Sequence, residues 1–98
     1  MPGRGLAPVR VEAAGRIAGS KLIRVSSEIE DGIIRSITIR GDFFASPGEG
    51  FDRVEERLPG IALAELAGAF DRLLLEEGVE AQGINGRALR EVIDSALN

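Results

Sequence analysis

Apolar and polar residues alternate through the first part of the chain, a pattern typical of half-buried strands. Val9 and Val11 alternate with charged residues in a short segment that ends near Gly15. In the next alternating segment, 22–30, one face is apolar and the other is mainly polar. The apolar face carries Ile23, Val25 and Ile29, and the opposite face carries Leu22, Arg24, Ser26 and Glu28. The pattern therefore predicts two strands.

The dipeptide Asp31-Gly32 predicts a hairpin after the second strand. A tight turn of the primed type needs positive φ values, which these two residue types tolerate best. A third strand should therefore run back antiparallel to the second. We expect it to end at Gly41, where a bend or a close backbone contact is easiest.

The third strand has a break in its alternation. Ile37 and Ile39 share one face, whereas Ile34 falls on the opposite phase. A β-bulge near Arg35 and Ser36 would return Ile34 to the core side, because a bulge inserts one extra residue into one strand.

Helical spacing replaces alternation in the second half of the chain. The first helix is predicted to begin with Ser46 as cap, Pro47 at the first helical position and Glu49 completing a capping box. Its apolar residues are Phe51, Val54 and Leu58, and Pro59-Gly60 ends it.

Two further helices follow. The second, about 64–77, should end at Gly78, and the third should run from an Asn85 cap to the end of the chain, with Ile84 packed on Leu89. The residues expected to be buried are Leu66, Phe70, Leu73, Leu74, Leu89, Val92, Ile93 and Ala96.

Three strands followed by three helices indicate an α+β fold, a small antiparallel sheet with the helices packed mainly on one face. With 98 residues, the chain is expected to form a single domain over 1–98, in which 1–8 is a loose lead-in. The other face of the sheet should stay uncovered. It would carry Arg24, Ser26, Glu28, Thr38 and Arg40.

The composition removes most catalytic chemistry. The chain has no cysteine and no histidine, which excludes disulfides, thiol catalysis and the commonest acid–base group and metal ligand. One lysine, Lys21, and serines without an evident base remain. The carboxylates Glu55, Glu56, Glu76 and Glu77 are expected to face water, as helix carboxylates usually do. We therefore predict a chain that is not catalytic alone, with no metal site and no catalytic residue.

Charge and hydropathy bear on partners and location. Residues 1–45 hold seven basic and five acidic side chains, and residues 46–98 hold five and eleven. An acidic chain with few aromatic residues is not typical of nucleic-acid binders. No apolar segment is long enough to span a bilayer, and the first residues lack the apolar stretch of a signal peptide. We expect no nucleic-acid or membrane partner and a cytoplasmic location.

Two short motifs have ordinary explanations. The segment "GRIAGSK", 15–21, resembles a phosphate-binding loop, but it is one residue short, has serine before lysine and precedes a strand. We interpret it as a turn between strands. Arg40-Gly41-Asp42 spells an adhesion tripeptide, which we interpret as a coincidence.

Adjacent phenylalanines follow the third strand. Strand phase places Phe43 with the core-facing residues and Phe44 on the face of Thr38 and Arg40, unless Gly41 bends the chain enough to bury both. Phe44 is thus the better candidate for contact with a partner, because aromatic residues concentrate at interface centres. Asp42 either accepts backbone hydrogen bonds at the bend, the interpretation we favour, or contacts a partner.

The ordered run from Gly19 to Gly60 resembles the accessory domain of lipoate–protein ligases, and is most similar to the version that forms a separate small subunit in archaea. The residues that carry the resemblance are Lys21 to Val25, Asp31-Gly32, Ile39 to Phe44 and Pro47. A weaker similarity continues through 76–97. That fold is also similar to sulfur-transfer scaffold proteins, but their working cysteine is absent here.

The resemblance implies a role in a two-step reaction. A catalytic subunit condenses lipoate with ATP to lipoyl-AMP and transfers the lipoyl group to a lysine of a carrier, such as the glycine-cleavage H protein or a dehydrogenase acyltransferase. The accessory subunit supports the activation step, so lipoate, ATP and Mg belong to the complex and no cofactor is expected on this chain alone. A non-catalytic interaction domain or homodimer without a ligase partner is the alternative. The expected partner interface comprises Lys21, Arg24, Arg40, Gly41, Asp42 and Phe44.

Overall fold

A computed structural model describes residues 8–17 and 19–97, so most of the predicted lead-in, 1–7, lies outside the described residues. The first half forms the predicted antiparallel sheet, with the strand order β1-β2-β3. Its strands are β1 (Val9–Gly15), β2 (Ile23–Glu30) and β3 (Ile33–Gly41). The hairpin between β2 and β3 is confirmed, since Asp31 and Gly32 both have positive φ, 54° and 75°.

The predicted bulge is present in β3. Glu28 pairs with Ser36, whereas the next residue, Ile29, pairs with Ile34, which leaves Arg35 as the extra residue. Ile34 thereby reaches the core side and is fully buried. The Ser27 hydroxyl, also buried, donates a 2.6 Å hydrogen bond to the Ser36 carbonyl at this irregularity.

The second half supplies the three predicted helices. It also contains a small sheet that the sequence pattern did not predict. In chain order the elements are β4 (Phe44–Ser46), α1 (Gly48–Arg57), a 3-10 turn (Leu63–Glu65), α2 (Leu66–Glu76), β5 (Glu80–Gln82) and α3 (Gly86–Leu97). β4 and β5 pair antiparallel. Each is only three residues long, too short for alternation to be recognised.

The predicted start of α1 is wrong by about one residue and in its cap. Ser46 is the last residue of β4, opposite Glu80, so it does not serve as the helix cap. Pro47 occupies the cap position, and no side chain there bonds the first helical N–H groups. The carbonyl of Pro47 instead accepts bonds from the N–H groups of Gly50 and Phe51.

The helices cover one face of the sheet and form one core with it. The predicted cap of α3 is confirmed, because Asn85 Oδ1 accepts a 2.8 Å hydrogen bond from the N–H of Ala88. Ala96, predicted to be buried, is exposed near the end of α3. The largest fully buried side chains are Phe70, Ile23, Ile34, Ile39, Leu58, Leu66, Leu73, Leu89 and Ile93.

No helix of the described residues is long and apolar enough to cross a membrane.

The expectation that four helix carboxylates simply face water is wrong for Glu77 and Glu55. Glu77 lies at the end of α2, and its side chain is only 17% exposed. Its two oxygens accept hydrogen bonds from Arg53, at 2.7 Å, and Arg57, at 3.1 Å. The bond from Arg53, followed by the bond from Arg57, lowers the pKa of Glu77 against an opposing effect of desolvation. These pairs tie α2 to α1.

Candidate functional site

The six residues predicted as a partner interface meet at one end of the three-stranded sheet. Arg24 lies opposite Arg40, and Gly41 lies opposite Ile23, at the last pairs of β2 and β3. We call this set, Lys21, Arg24, Arg40, Gly41, Asp42 and Phe44, the corner site. The corner joins three segments that are distant in sequence, because the loop after β5 and the loop before β2 also meet there.

Main-chain hydrogen bonds hold these segments together. The N–H of Lys21 donates to the carbonyl of Gly83 at 2.9 Å, and the N–H of Asp42 donates to the carbonyl of Leu22 at 3.0 Å. Phe44 pairs with Gln82 across the small sheet. The positions of Lys21, Asp42 and Phe44 are therefore set by the backbone.

Gly41 allows the chain to turn from one sheet into the other. Its φ is +149°, a conformation that side-chain-bearing residues rarely adopt, and a Cβ there would collide with the carbonyl oxygen of Leu22. The predicted bend and close backbone contact at Gly41 are both confirmed. The turn ends β3, so that Phe44 does not continue on the face of Thr38 as strand phase had suggested.

The two arginines of the corner are placed differently. Arg24 and Arg40 lie directly opposite each other, an arrangement in which like charges repel. Arg40 turns across the edge of β3, where its Nη1 donates to Glu55 Oε2 at 3.0 Å and to the carbonyl of Ile39 at 2.7 Å. The same Glu55 oxygen accepts the N–H of Ile39 at 2.6 Å. Glu55 thus neutralises one arginine and covers an edge N–H group.

We expect Glu55→Ala to lower the free energy of unfolding by about 2 kcal/mol. The main-chain N–H of Ile39 and the guanidinium of Arg40 would both lose a charged, largely buried acceptor. Glu56→Ala is the matched control: it changes the neighbouring, exposed glutamate of the same helix and should alter stability by less than about 0.5 kcal/mol. Chemical denaturation of both variants measures the difference. Equal losses would mean that Glu55 contributes nothing specific.

Cations without an acidic partner gather at the corner. Eight arginines of the described residues form salt bridges, whereas Arg16, Lys21 and Arg24 form none within 8–17 and 19–97. Arg16 follows the last residue of β1, next to the same end of the sheet. Sequence reasoning missed Arg16, although it lies in the turn before Lys21 and could have been grouped with it. The corner therefore presents positive charge on an acidic protein.

The two phenylalanines differ in burial as the sequence suggested, and contact of Phe44 with a partner stays a prediction. Phe43 is half-buried and packs against Phe51 with a ring-centroid distance of 5.4 Å, and Phe51 in turn contacts Phe70 at 6.1 Å. Phe44 is 55% exposed. A shallow groove of about 290 Å³ lies next to them. Its apolar lining residues are Ile39, Phe43, Ala45 and Phe51, and the remainder are Arg40, Gly41, Gly48 and Asp52.

Asp42 does not make the bond that we favoured. Its backbone N–H donates to Leu22, but its exposed carboxylate accepts no hydrogen bond from any residue in the described part of the chain. Contact with a partner, the other interpretation of Asp42, stays a prediction.

The uncovered face of the sheet carries a polar network beside the corner. Arg10 donates to Glu12 at 2.8 Å and to Ser26 at 2.9 Å, and the Ser26 hydroxyl donates to Glu12 at 2.8 Å. The hydrogen bond from Ser26, followed by that from Arg10, lowers the pKa of Glu12. A groove of about 520 Å³ on this face runs from Glu12 and Ser26 to Arg24 and Arg40. Within the described ranges, no three acidic side chains come close enough to hold a metal ion.

Comparison with known proteins gives one informative result. No family model matches the chain, and no curated protein matches it. A solved structure does match, with a TM-score of 0.72 at 23% sequence identity. The match covers 88% of this chain and 96% of the other. It comes from a study of an archaeal lipoylation system, a bipartite lipoate protein ligase and its E2 lipoyl domain from Thermoplasma acidophilum.

This neighbour confirms the α+β fold. Because the alignment spans almost all of both chains, the two are of similar length and the likeness concerns the whole domain.

Proposed function

We propose that this chain is the accessory subunit of a two-part lipoate–protein ligase, and that it supports ATP-dependent activation of lipoate to lipoyl-AMP by a separate catalytic subunit. The observation that carries the proposal is the similarity over the whole domain to a chain of about the same size from a bipartite ligase system. The absence of histidine and cysteine from the sequence fits a subunit that supplies no nucleophile.

The corner site suits docking onto a larger partner. Phe44 offers an exposed aromatic side chain beside an apolar groove, and Lys21 and Arg24 supply charge that no acid of the described chain neutralises. Interface energy concentrates in such aromatic anchors, while surrounding charges set orientation and association rate. We infer that the catalytic subunit presents an acidic rim around an apolar pocket to this corner.

Docking would act on the activation step through the environment of the active site. Adenylation develops charge that must be stabilised by preorganised groups in a site from which water is excluded. A small domain that closes over that site can order its loops without touching the reacting atoms. Lipoate, ATP and Mg would then be bound by the catalytic subunit.

The direct test is to mix this chain with a candidate catalytic subunit, lipoate, ATP and Mg, and to measure lipoyl-AMP with and without this chain. Lipoyl-AMP formation should depend on its presence and saturate at an equimolar ratio. A second measurement starts from preformed lipoyl-AMP and follows transfer to a carrier, a step that should depend less on this chain. Equal lipoyl-AMP formation in its absence would contradict the proposal.

Lys21 provides an internal control against a role as lipoyl carrier. A carrier must present a lysine for modification, and Lys21 is the only lysine of the chain. The backbone of Lys21 is bonded to Gly83, and its stem lies against that glycine, since a Cβ added at Gly83 would come within 2.6 Å of Lys21 Cγ. Lys21 is exposed, so the reaction itself distinguishes the roles: an accessory subunit should keep its intact mass during the reaction. A mass increase of one lipoyl group would favour the carrier role.

Purification of the chain from its native source tests the remaining alternative, an interaction domain without a ligase partner. A ligase-like subunit should co-purify with it. Recovery of the chain alone, together with no stimulation of a candidate ligase, would favour the alternative.

A further inference from the structure

β1 is an edge strand with unpaired main-chain groups. Along an antiparallel ladder, hydrogen-bonded and non-hydrogen-bonded residue pairs alternate. The N–H of Asp42 donates to the carbonyl of Leu22, so the even-numbered residues of β2 form their main-chain hydrogen bonds with β3. By that alternation the odd-numbered residues of β2 bond to β1, and the N–H and C=O groups of Arg10, Glu12 and Ala14 point away from the sheet. No main-chain group in residues 8–17 or 19–97 bonds to them.

The opposite edge of the sheet is protected. On β3, Glu55 accepts the N–H of Ile39, and Arg40 covers the carbonyl of the same residue. Nearer the hairpin, Gly60 and Ile61 bond to both main-chain groups of Ile34. Proteins usually block exposed strand edges by such means, since an open edge is a template for pairing with another strand. β1 lacks this protection.

The sequence of β1 is complementary to itself in an antiparallel arrangement. When Val11 is placed opposite Val11 of a second copy, Arg10 lies opposite Glu12 and Glu12 lies opposite Arg10. These are the residues whose main-chain groups point outward, so each such pair can exchange both of its N–H···O bonds. Opposite charges across a strand pair are stabilising.

We propose that β1 pairs antiparallel with β1 of a second copy of this chain, in the register centred on Val11. The pairing joins two three-stranded sheets into one sheet with both helix layers on the same side. It also gives a neighbour to Val9, which is 55% exposed although it shares the core-facing phase with buried Val11. In this register Val9 lies opposite Ala13. Pro8, which has no N–H, limits the ladder beyond it.

This pairing uses a surface other than the corner site and does not depend on the proposed ligase role. The corner lies at the Gly15 end of β1, whereas the dimer axis passes through Val11. Two corners would therefore point away from each other at opposite ends of the long sheet, where each remains accessible to its own partner.

The register can be tested by charge reversal on the full chain. Arg10→Glu gives a strand with two acidic residues, and Glu12→Arg gives one with two basic residues. Each variant paired with itself places like charges opposite each other twice, so its dimer dissociation constant should rise at least about tenfold. In an equimolar mixture the acidic strand meets the basic strand, and both charge pairs are restored. Sedimentation equilibrium of the wild type, each variant and the mixture measures these states.

The expected result is a concentration-dependent dimer for the wild type, weakened self-association of each variant and a heterodimer in the mixture, with circular dichroism verifying the fold of each chain. If Arg10→Glu does not fold, Glu12→Pro serves instead, because the outward N–H of Glu12 is not used within the sheet; this variant should be a folded monomer. A wild type that is monomeric at its highest soluble concentration overturns the proposal. So does a mixture that fails to associate, or a dimer that charge reversal leaves intact.

Discussion

Gly86→Ala should lower the free energy of unfolding by about 3 kcal/mol, the upper range for forcing an extra methyl group into a packed interior. Gly86 begins α3, where alanine would normally be preferred to glycine. Here the added Cβ would collide with the carbonyl oxygen of Ala67 in α2 and come within 2.9 Å of its Cα. Both are main-chain atoms, so no side chain can move aside. The N–H of Gly86 also donates to Asp71 Oδ1 at 2.7 Å, which holds the two helices close.

Gly68→Ala is the matched control. Gly68 lies within α2, is exposed, and has no atom within 4 Å of an added Cβ. Alanine should therefore raise the unfolding free energy by about 0.5 kcal/mol or somewhat more, as helix propensity alone dictates. Urea denaturation of the two variants should give shifts of opposite sign. A stabilised Gly86→Ala variant would show that α2 and α3 can move apart at little cost.

Phe44→Ala should weaken binding to the proposed catalytic subunit by about 2 kcal/mol, or about thirtyfold in dissociation constant, if Phe44 is the aromatic anchor of the corner site. At concentrations below saturation, lipoyl-AMP formation should fall with the loss of complex and recover when more of the variant is added. Because Phe44 is exposed, the variant's melting temperature should stay close to that of the wild type.

Leu75→Ala controls for the general loss of exposed apolar surface. Leu75 is 82% exposed on α2, outside the corner site, so its removal should leave both binding and activation unchanged. Isothermal titration calorimetry of both variants against the same catalytic subunit makes the comparison. Unchanged affinity and unchanged activation with Phe44→Ala would exclude the corner as the docking surface.

The larger features of the fold were predictable because they follow from local rules. The hairpin depends on Asp31-Gly32, the bulge on the phase of Ile34, and the α3 cap on Asn85. Each of these signals lies within a few residues of the structure it causes. The cap of α1 was wrong for the same reason: Ser46 matches a capping pattern locally, but pairing with Glu80, far along the chain, places it in a strand.

The corner site was only partly predictable. Its residues were selected from charge and from the position of Gly41, and they do converge. The sequence could not show which of the charged side chains form salt bridges, since that depends on tertiary contacts. Arg40 is neutralised by Glu55 from α1, whereas Arg16 and Lys21 form no salt bridge within the described residues. Such contacts join residues from separate elements, and no spacing rule connects them.

Main-chain hydrogen bonds, from Lys21 to Gly83 and from Asp42 to Leu22, hold the corner together. The backbone geometry of the corner therefore does not depend on which side chains it carries. Side chains at positions 21, 42 and 44 can be exchanged without removing any of those bonds. Related chains could therefore carry different side chains at these positions and keep the same backbone geometry, so that each surface matches the surface of its own partner. Gly41, where a side chain would strike the main chain, is barred from this variation.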